Sequence, residues 1–162
     1  MESRTAGKTV KAVAIKAVIF DIDDTLFAST EFAEKARRNA VNAMVEAGLK
    51  ADTRKAYSEL SKIIAERGSN YGNHFGELCK KFRHSSDKDK IVAAGIAAYH
   101  NTKASILPFP EVPRALLKLR DEGYALYVAS EGNSLKQWDK LFRLGVYLMF
   151  DEVFVSKKKE PM

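Results

Sequence analysis

The apolar residues of the chain change period in a definite order. Ala17-Val18-Ile19-Phe20 is a continuous apolar run inside residues 13–22, bounded by charge. That is the pattern of a strand buried on both faces, as in a parallel sheet. Beyond it the period becomes helical. Phe32, Ala36, Ala40, Ala43, Met44 and Ala47 share one face of a helix that Thr30 caps and Gly48 ends. A second helix over 53–67 buries Tyr57, Leu60, Ile63 and Ile64 and stops at Gly68. A shorter third carries Phe75, Leu78, Cys79 and Phe82, and a fourth starts near Ser86 or Asp87 with Ile91, Val92, Gly95, Ile96 and Tyr99. None of these has strand character, so the block is expected to be a compact helical unit.

Strand logic then returns. Leu107-Pro108-Phe109-Pro110 is extended, and Pro113 suits the first turn of a helix bearing Val112, Leu116, Leu117 and Leu119 that ends at Gly123. Residues 124–129 form a second buried strand. Ser134 caps a helix with Leu135, Trp138, Leu141 and Phe142, ended by Gly145, in which Trp138 reads as core. Residues 152–156 are a third strand. Strand, inserted helices, helix, strand, helix, strand is an α/β arrangement with a parallel sheet.

Composition narrows this picture modestly. The 162 residues suit one domain with room for a small appendage, and 46% hydrophobic with 30% charged residues excludes a disordered or low-complexity chain. No apolar run approaches the roughly 20 residues of a membrane helix. Residues 10–20 are broken by Lys11 and Lys16 and do not read as a signal peptide. A single cysteine, Cys79, points to a reducing, cytoplasmic setting. The net charge of +6 is dispersed except for Lys157-Lys158-Lys159, which argues against nucleic acid, and such an excess suits a small phosphorylated substrate equally well; neither it nor the apolar pattern calls for a membrane. His74, His84 and His100 lie at spacings that do not suit a metal site.

The candidate chemistry follows the first strand directly, in Asp21-Ile22-Asp23-Asp24-Thr25-Leu26. In extended chain Asp21 and Asp23 leave on the same side. Two carboxylates so close repel unless a cation or a shared proton relieves them. The carboxyl end of a strand in an α/β sheet is where ligands bind, and oxygen ligands there suit Mg²⁺. An Asp-rich turn capping a helix would account for Asp24 and Thr25, but not for Asp21 set against a buried strand.

At these residues the sequence resembles the haloacid dehalogenase superfamily of phosphatases and related hydrolases. Val18-Ile19-Phe20-Asp21-Ile22-Asp23-Asp24-Thr25-Leu26 is similar to that family's first motif, and Tyr127-Val128-Ala129-Ser130-Glu131-Gly132-Asn133 to its second. The resemblance implies a Rossmann-like core in residues 1–28 and 107–162, with a helical cap in 29–106. It implies an Mg²⁺-dependent phosphatase of a small phosphorylated metabolite, with glyceraldehyde 3-phosphate as a candidate. Asp21 would be the nucleophile, forming an aspartyl-phosphate, and Asp23 the general acid and base. Asp21 and the backbone carbonyl of Asp23 would hold Mg²⁺. Phosphate oxygens would meet Ser130, the backbone after Asp21 from Ile22 to Thr25, and the Glu131-Gly132-Asn133 turn at a helix N-terminus. By itself Ser130 is also an ordinary strand-end serine. Phe27, Phe32 and the Asn70-Tyr71 region are candidates to face the substrate.

The later motifs depart from the family. A lysine followed by proline is expected after the third strand, and here Ser156 leads into Lys157-Lys158-Lys159-Glu160-Pro161-Met162. Lys158 or Lys159 could serve, or the segment could be a solvated basic tail. A fourth strand with its acids does not follow, so the core is expected to be truncated after the third strand, and Asp151 and Glu152 lie at the wrong end of that strand to substitute. Two expectations result. One is an exposed apolar edge on the first strand that favours a homo-oligomer or poor solubility. The other is an alternative to turnover, a non-catalytic relative that binds phosphate or a partner.

Overall fold

The computed structural model describes residues 16–156. Three parallel strands, β1 (Ala17–Phe20), β4 (Ala125–Glu131) and β5 (Glu152–Ser156), form a sheet in the order β1-β4-β5. Val18 pairs with Leu126, and Val128 with Val153. Helices α5 (Val112–Asp121) and α6 (Ser134–Leu144) supply Leu116, Leu141 and Leu144 to a cluster with Ile22, Leu26, Leu126 and Val128, against which Val18 and Phe20 pack. Gly145 ends α6 at φ 69°, a left-handed conformation that a glycine adopts without strain.

Between β1 and α5 lie α1 (Ser29–Glu46), α2 (Thr53–Arg67), α3 (His74–Lys80) and α4 (Lys88–Lys103). They close on their own apolar cluster, with Met44, Leu60, Leu78 and Ile91 at its centre. Asp52 and Asp87 cap α2 and α4 by accepting from the backbone N–H groups two and three residues on. Among the described residues no helix is long and apolar enough to cross a membrane.

Several expectations need correction. Residues 13–15 of the first strand lie outside the described residues. The sheet is not buried on both faces: Ile19 is 65% and Phe154 51% exposed, because α5 and α6 both contribute to the face that carries Val18 and Leu126. The second strand starts and ends later than expected and reaches Glu131. The inserted block is not purely helical, since β2 (Leu49–Lys50) and β3 (Arg83–His84) pair antiparallel. Asn133 rather than Ser134 caps α6, by accepting from the Lys136 N–H at 3.2 Å. The start of α1 is held by Asp24, which accepts from the backbone N–H (2.9 Å) and hydroxyl of Thr30, so Thr30 is the capped residue and not the cap. Trp138 is 36% exposed, because the buried positions of α6 are Gln137, Leu141 and Leu144. That face is rotated one residue from the expected one.

Candidate active site

The loop leaving β1 is anchored by its apolar members. Ile22 and Leu26 are fully buried, and the Leu26 N–H donates to the Ile22 carbonyl at 3.0 Å, closing a turn. With Ile22 inward, its neighbours Asp21 and Asp23 are left to border a cleft of about 510 Å³ at the carboxyl ends of the strands. Ser130 and Glu131 enter it from the end of β4, and Phe154 and Ser156 from β5. A cleft at this end of a parallel sheet is where the open α/β architecture places ligands.

The structure brings Asp21, Asp23, Ser130 and Glu131 together around this space. Glu131 cannot offer its carboxylate to an anion, so only a backbone group of that residue suits phosphate. Ile22 likewise has only its backbone to offer, its side chain being in the core. Thr25 is exposed in the turn and is not among the residues bordering the cleft. Gly132 sits at φ 128° and donates its N–H to the Ser156 carbonyl at 2.9 Å, which joins the ends of β4 and β5. Asn133 uses its side chain as the α6 cap. Lys159 lies outside the described residues. Phe27 is buried and Phe32 partly so in the core cluster, so neither faces the cleft. Asn70, in the α2–α3 loop, accepts from Lys136 of α6 at 2.8 Å, a direct link between the helical block and the sheet layer.

Two residues of α6 complete the arrangement without having been singled out from the sequence. Lys140 Nζ donates to both Asp23 carboxylate oxygens at 2.6 Å. Gln137, 3% exposed, aims its amide nitrogen at the Glu131 carbonyl (2.7 Å), Ser130 Oγ (3.1 Å) and, at 3.4 Å, Asp23. The Gln137 Oε1 atom is buried with no partner. Nearby, Asp139 links α6 to the end of α4 through Lys103 at 2.7 Å. Burial would push its carboxyl up, but the hydrogen bonds and charge of Lys103 and Arg143 outweigh that and hold it below the usual carboxylate range. Asp24 is also held below that range, by its hydrogen bonds from Thr30.

Among the described residues no group of three or more His, Cys, Asp or Glu side chains could enclose a metal. Asp21 and the Asp23 loop instead offer an open set of hard oxygen donors. This fits Mg²⁺, which takes one or two protein carboxylates and completes its shell with water and substrate oxygens.

Residues 15–161 match the hydrolases described as haloacid dehalogenase-like hydrolase. A protein of Methanocaldococcus jannaschii named glyceraldehyde 3-phosphate phosphatase is 46% identical over 145 residues, 89% of this chain and 63% of that protein. One of the same name from Methanopyrus kandleri is 45% identical over 147 residues, again 89% and 63%. The chain thus spans about 63% of the length of these curated relatives. In fold it is similar to a haloacid dehalogenase-like hydrolase of Xanthomonas campestris, with a TM-score of 0.63, 18% identity and coverage of 94% and 66%. A putative beta-phosphoglucomutase of Thermotoga maritima gives 0.62, 17%, and 87% and 61%. A Bacillus subtilis HAD-hydrolase described as bound to magnesium gives 0.53, 18%, and 88% and 65%.

Proposed function

The chain belongs to the haloacid dehalogenase-like hydrolases, and from that premise we propose that it is an Mg²⁺-dependent phosphatase of a small phosphorylated metabolite in the cytoplasm, working through an aspartyl-phosphate. The observation that carries this reading is the meeting of Asp21, Asp23 and Ser130 around one cleft. Asp21 attacks the phosphoryl group and the ester bond breaks, leaving an aspartyl-phosphate that water then hydrolyses. Asp23 gives a proton to the departing alcohol and later takes one from the attacking water. Ser130 donates its hydroxyl to a phosphoryl oxygen. The Asp21 carboxylate and the Asp23 carbonyl would hold Mg²⁺, which would neutralise charge between carboxylate and phosphate. Residues 29–106 act as the cap over the core and read the leaving group. Glyceraldehyde 3-phosphate is the first substrate to test, on the printed names of the relatives.

Phosphate release from p-nitrophenyl phosphate and glyceraldehyde 3-phosphate, with Mg²⁺, tests the reading. Turnover is expected to fall by about a thousandfold or more in Asp21→Asn and to stop on chelation. A folded sample without turnover overturns it. One observation favours a second reading, phosphate or partner binding without turnover: both Asp23 oxygens are engaged by Lys140. Phosphate binding with no trapped aspartyl-phosphate would support that alternative.

A further inference from the structure

We propose that Lys140 and Gln137, one turn apart on α6, are positioning residues that fix the Asp23 carboxylate and the Ser130 hydroxyl relative to each other. The proposal rests on the phosphatase reading for its catalytic half and on hydrogen-bond geometry for its structural half. Lys140 Nζ lies 2.6 Å from both Asp23 oxygens, so it sets the plane of the carboxylate as well as its place. The Lys140 side chain is 20% exposed and that of Asp23 37%, so the contact is partly shielded from solvent. Gln137 has two amide hydrogens, and its nearest acceptors are the Glu131 carbonyl and Ser130 Oγ. Rotating the amide would set Oε1 against the Glu131 carbonyl, two acceptors at 2.7 Å, so the donor end must face the site even though Oε1 is left buried without a partner. With Ser130 Oγ accepting from Gln137, the serine hydrogen is free to point into the cleft that Ser130 borders.

In the hydrolytic step, water oxygen attacks phosphorus and its O–H bond breaks toward the held Asp23 carboxylate. The bond from phosphorus to Asp21 breaks, freeing that carboxylate, and inorganic phosphate leaves. Losing Lys140 therefore slows this step, while with p-nitrophenyl phosphate, whose p-nitrophenolate departs without a proton from Asp23, attack by Asp21 is spared. Lys140→Met is expected to lower kcat for p-nitrophenyl phosphate about a hundredfold. KM should fall in parallel, kcat/KM should stay within about threefold, and acid quenching should trap more aspartyl-phosphate. Lys140→Arg should recover part of kcat. Gln137→Leu should lower kcat/KM instead, because Ser130 meets the phosphoryl group in both steps. Equal loss of kcat and kcat/KM in Lys140→Met, with no phosphoenzyme, overturns the role of Lys140, and an unaffected Gln137→Leu overturns that of Gln137. If the wild-type chain neither turns over nor traps phosphate, the phosphatase reading falls instead. The clamp is then judged by the ¹⁵N signal of the Lys140 ammonium: protection lost in Asp23→Ala supports it, and a signal indifferent to Asp23→Ala overturns it.

Discussion

Asp24 borders no part of the cleft, yet it decides where the catalytic loop hands over to α1. It sits at φ 55°, a left-handed conformation that Asp and Asn tolerate better than other side-chain-bearing residues. From there its carboxylate accepts two hydrogen bonds from Thr30. These bonds favour the ionised form and depress the carboxyl below its ordinary value. A group depressed in the folded state contributes stability above its unfolded value, and that contribution disappears as pH falls through the folded one. Asp24→Asn keeps the backbone preference but removes the charge and one of the two oxygens that accept from Thr30. Its Tm is expected to be below wild type at pH 7, with the gap shrinking below about pH 4, where the unfolded carboxyl begins to protonate, and closing as the folded carboxyl protonates lower still. A gap of constant size across a pH series of melting curves would show that charge is not what Thr30 senses. At this scale the place of Asp21 and Asp23 at the cleft was legible in the sequence, because acids set directly after an apolar strand stand out, whereas Ser130 was reached only through the resemblance to the family's second motif. Gln137 and Lys140 were not. A glutamine almost wholly buried is an exception to composition rules, and the apolar residues Leu135 and Trp138 pointed to a different face of α6.

Among elements, α1 and α4 make the most extensive helix contact, and a glycine sets their approach. A Cβ on Gly95 would stand 2.8 Å from Met44 Cγ and 2.9 Å from its sulfur. Met44 is fully buried and has little room to turn aside. Overpacking of this kind costs about 1–3 kcal/mol, against about 1 kcal/mol gained by replacing a helical glycine with alanine. Gly95→Ala is therefore expected to lose about 1 kcal/mol in urea unfolding at an unchanged slope. In a Met44→Ala background the same substitution should become stabilising, and a double-mutant cycle with no coupling would reject the contact. The longer elements were readable from periodicity: residues 53–67 and 152–156 fold as the pattern proposes. The β2–β3 ladder was not, because two residues per strand carry no period, and its register comes from the chain on either side.

For the molecule as a whole, the unusual feature is a parallel sheet of which, among the described residues, helices cover only one face. Parallel strands ordinarily carry helices on both sides. Here Ile19 and Phe154 stand largely in solvent, with Tyr127 and Phe154 rings 6.2 Å apart on the same side. Among the described residues, moreover, β1 pairs only with β4, which leaves its other edge without a strand partner. An apolar face beside an open edge is a template for a second copy of the chain, and the modest net charge of +6 is a weak barrier to that approach. Light scattering is expected to show association that rises with protein concentration. Ile19→Lys should reduce it at least about tenfold by placing a charge on the contact. The β1–β4 pairing should survive, because the Ile19 side chain is mostly in solvent and its backbone alone makes the ladder. Far-UV circular dichroism separates the outcomes: a folded Ile19→Lys that still associates moves the contact away from this face, and a wild-type chain that stays monomeric at high concentration removes it.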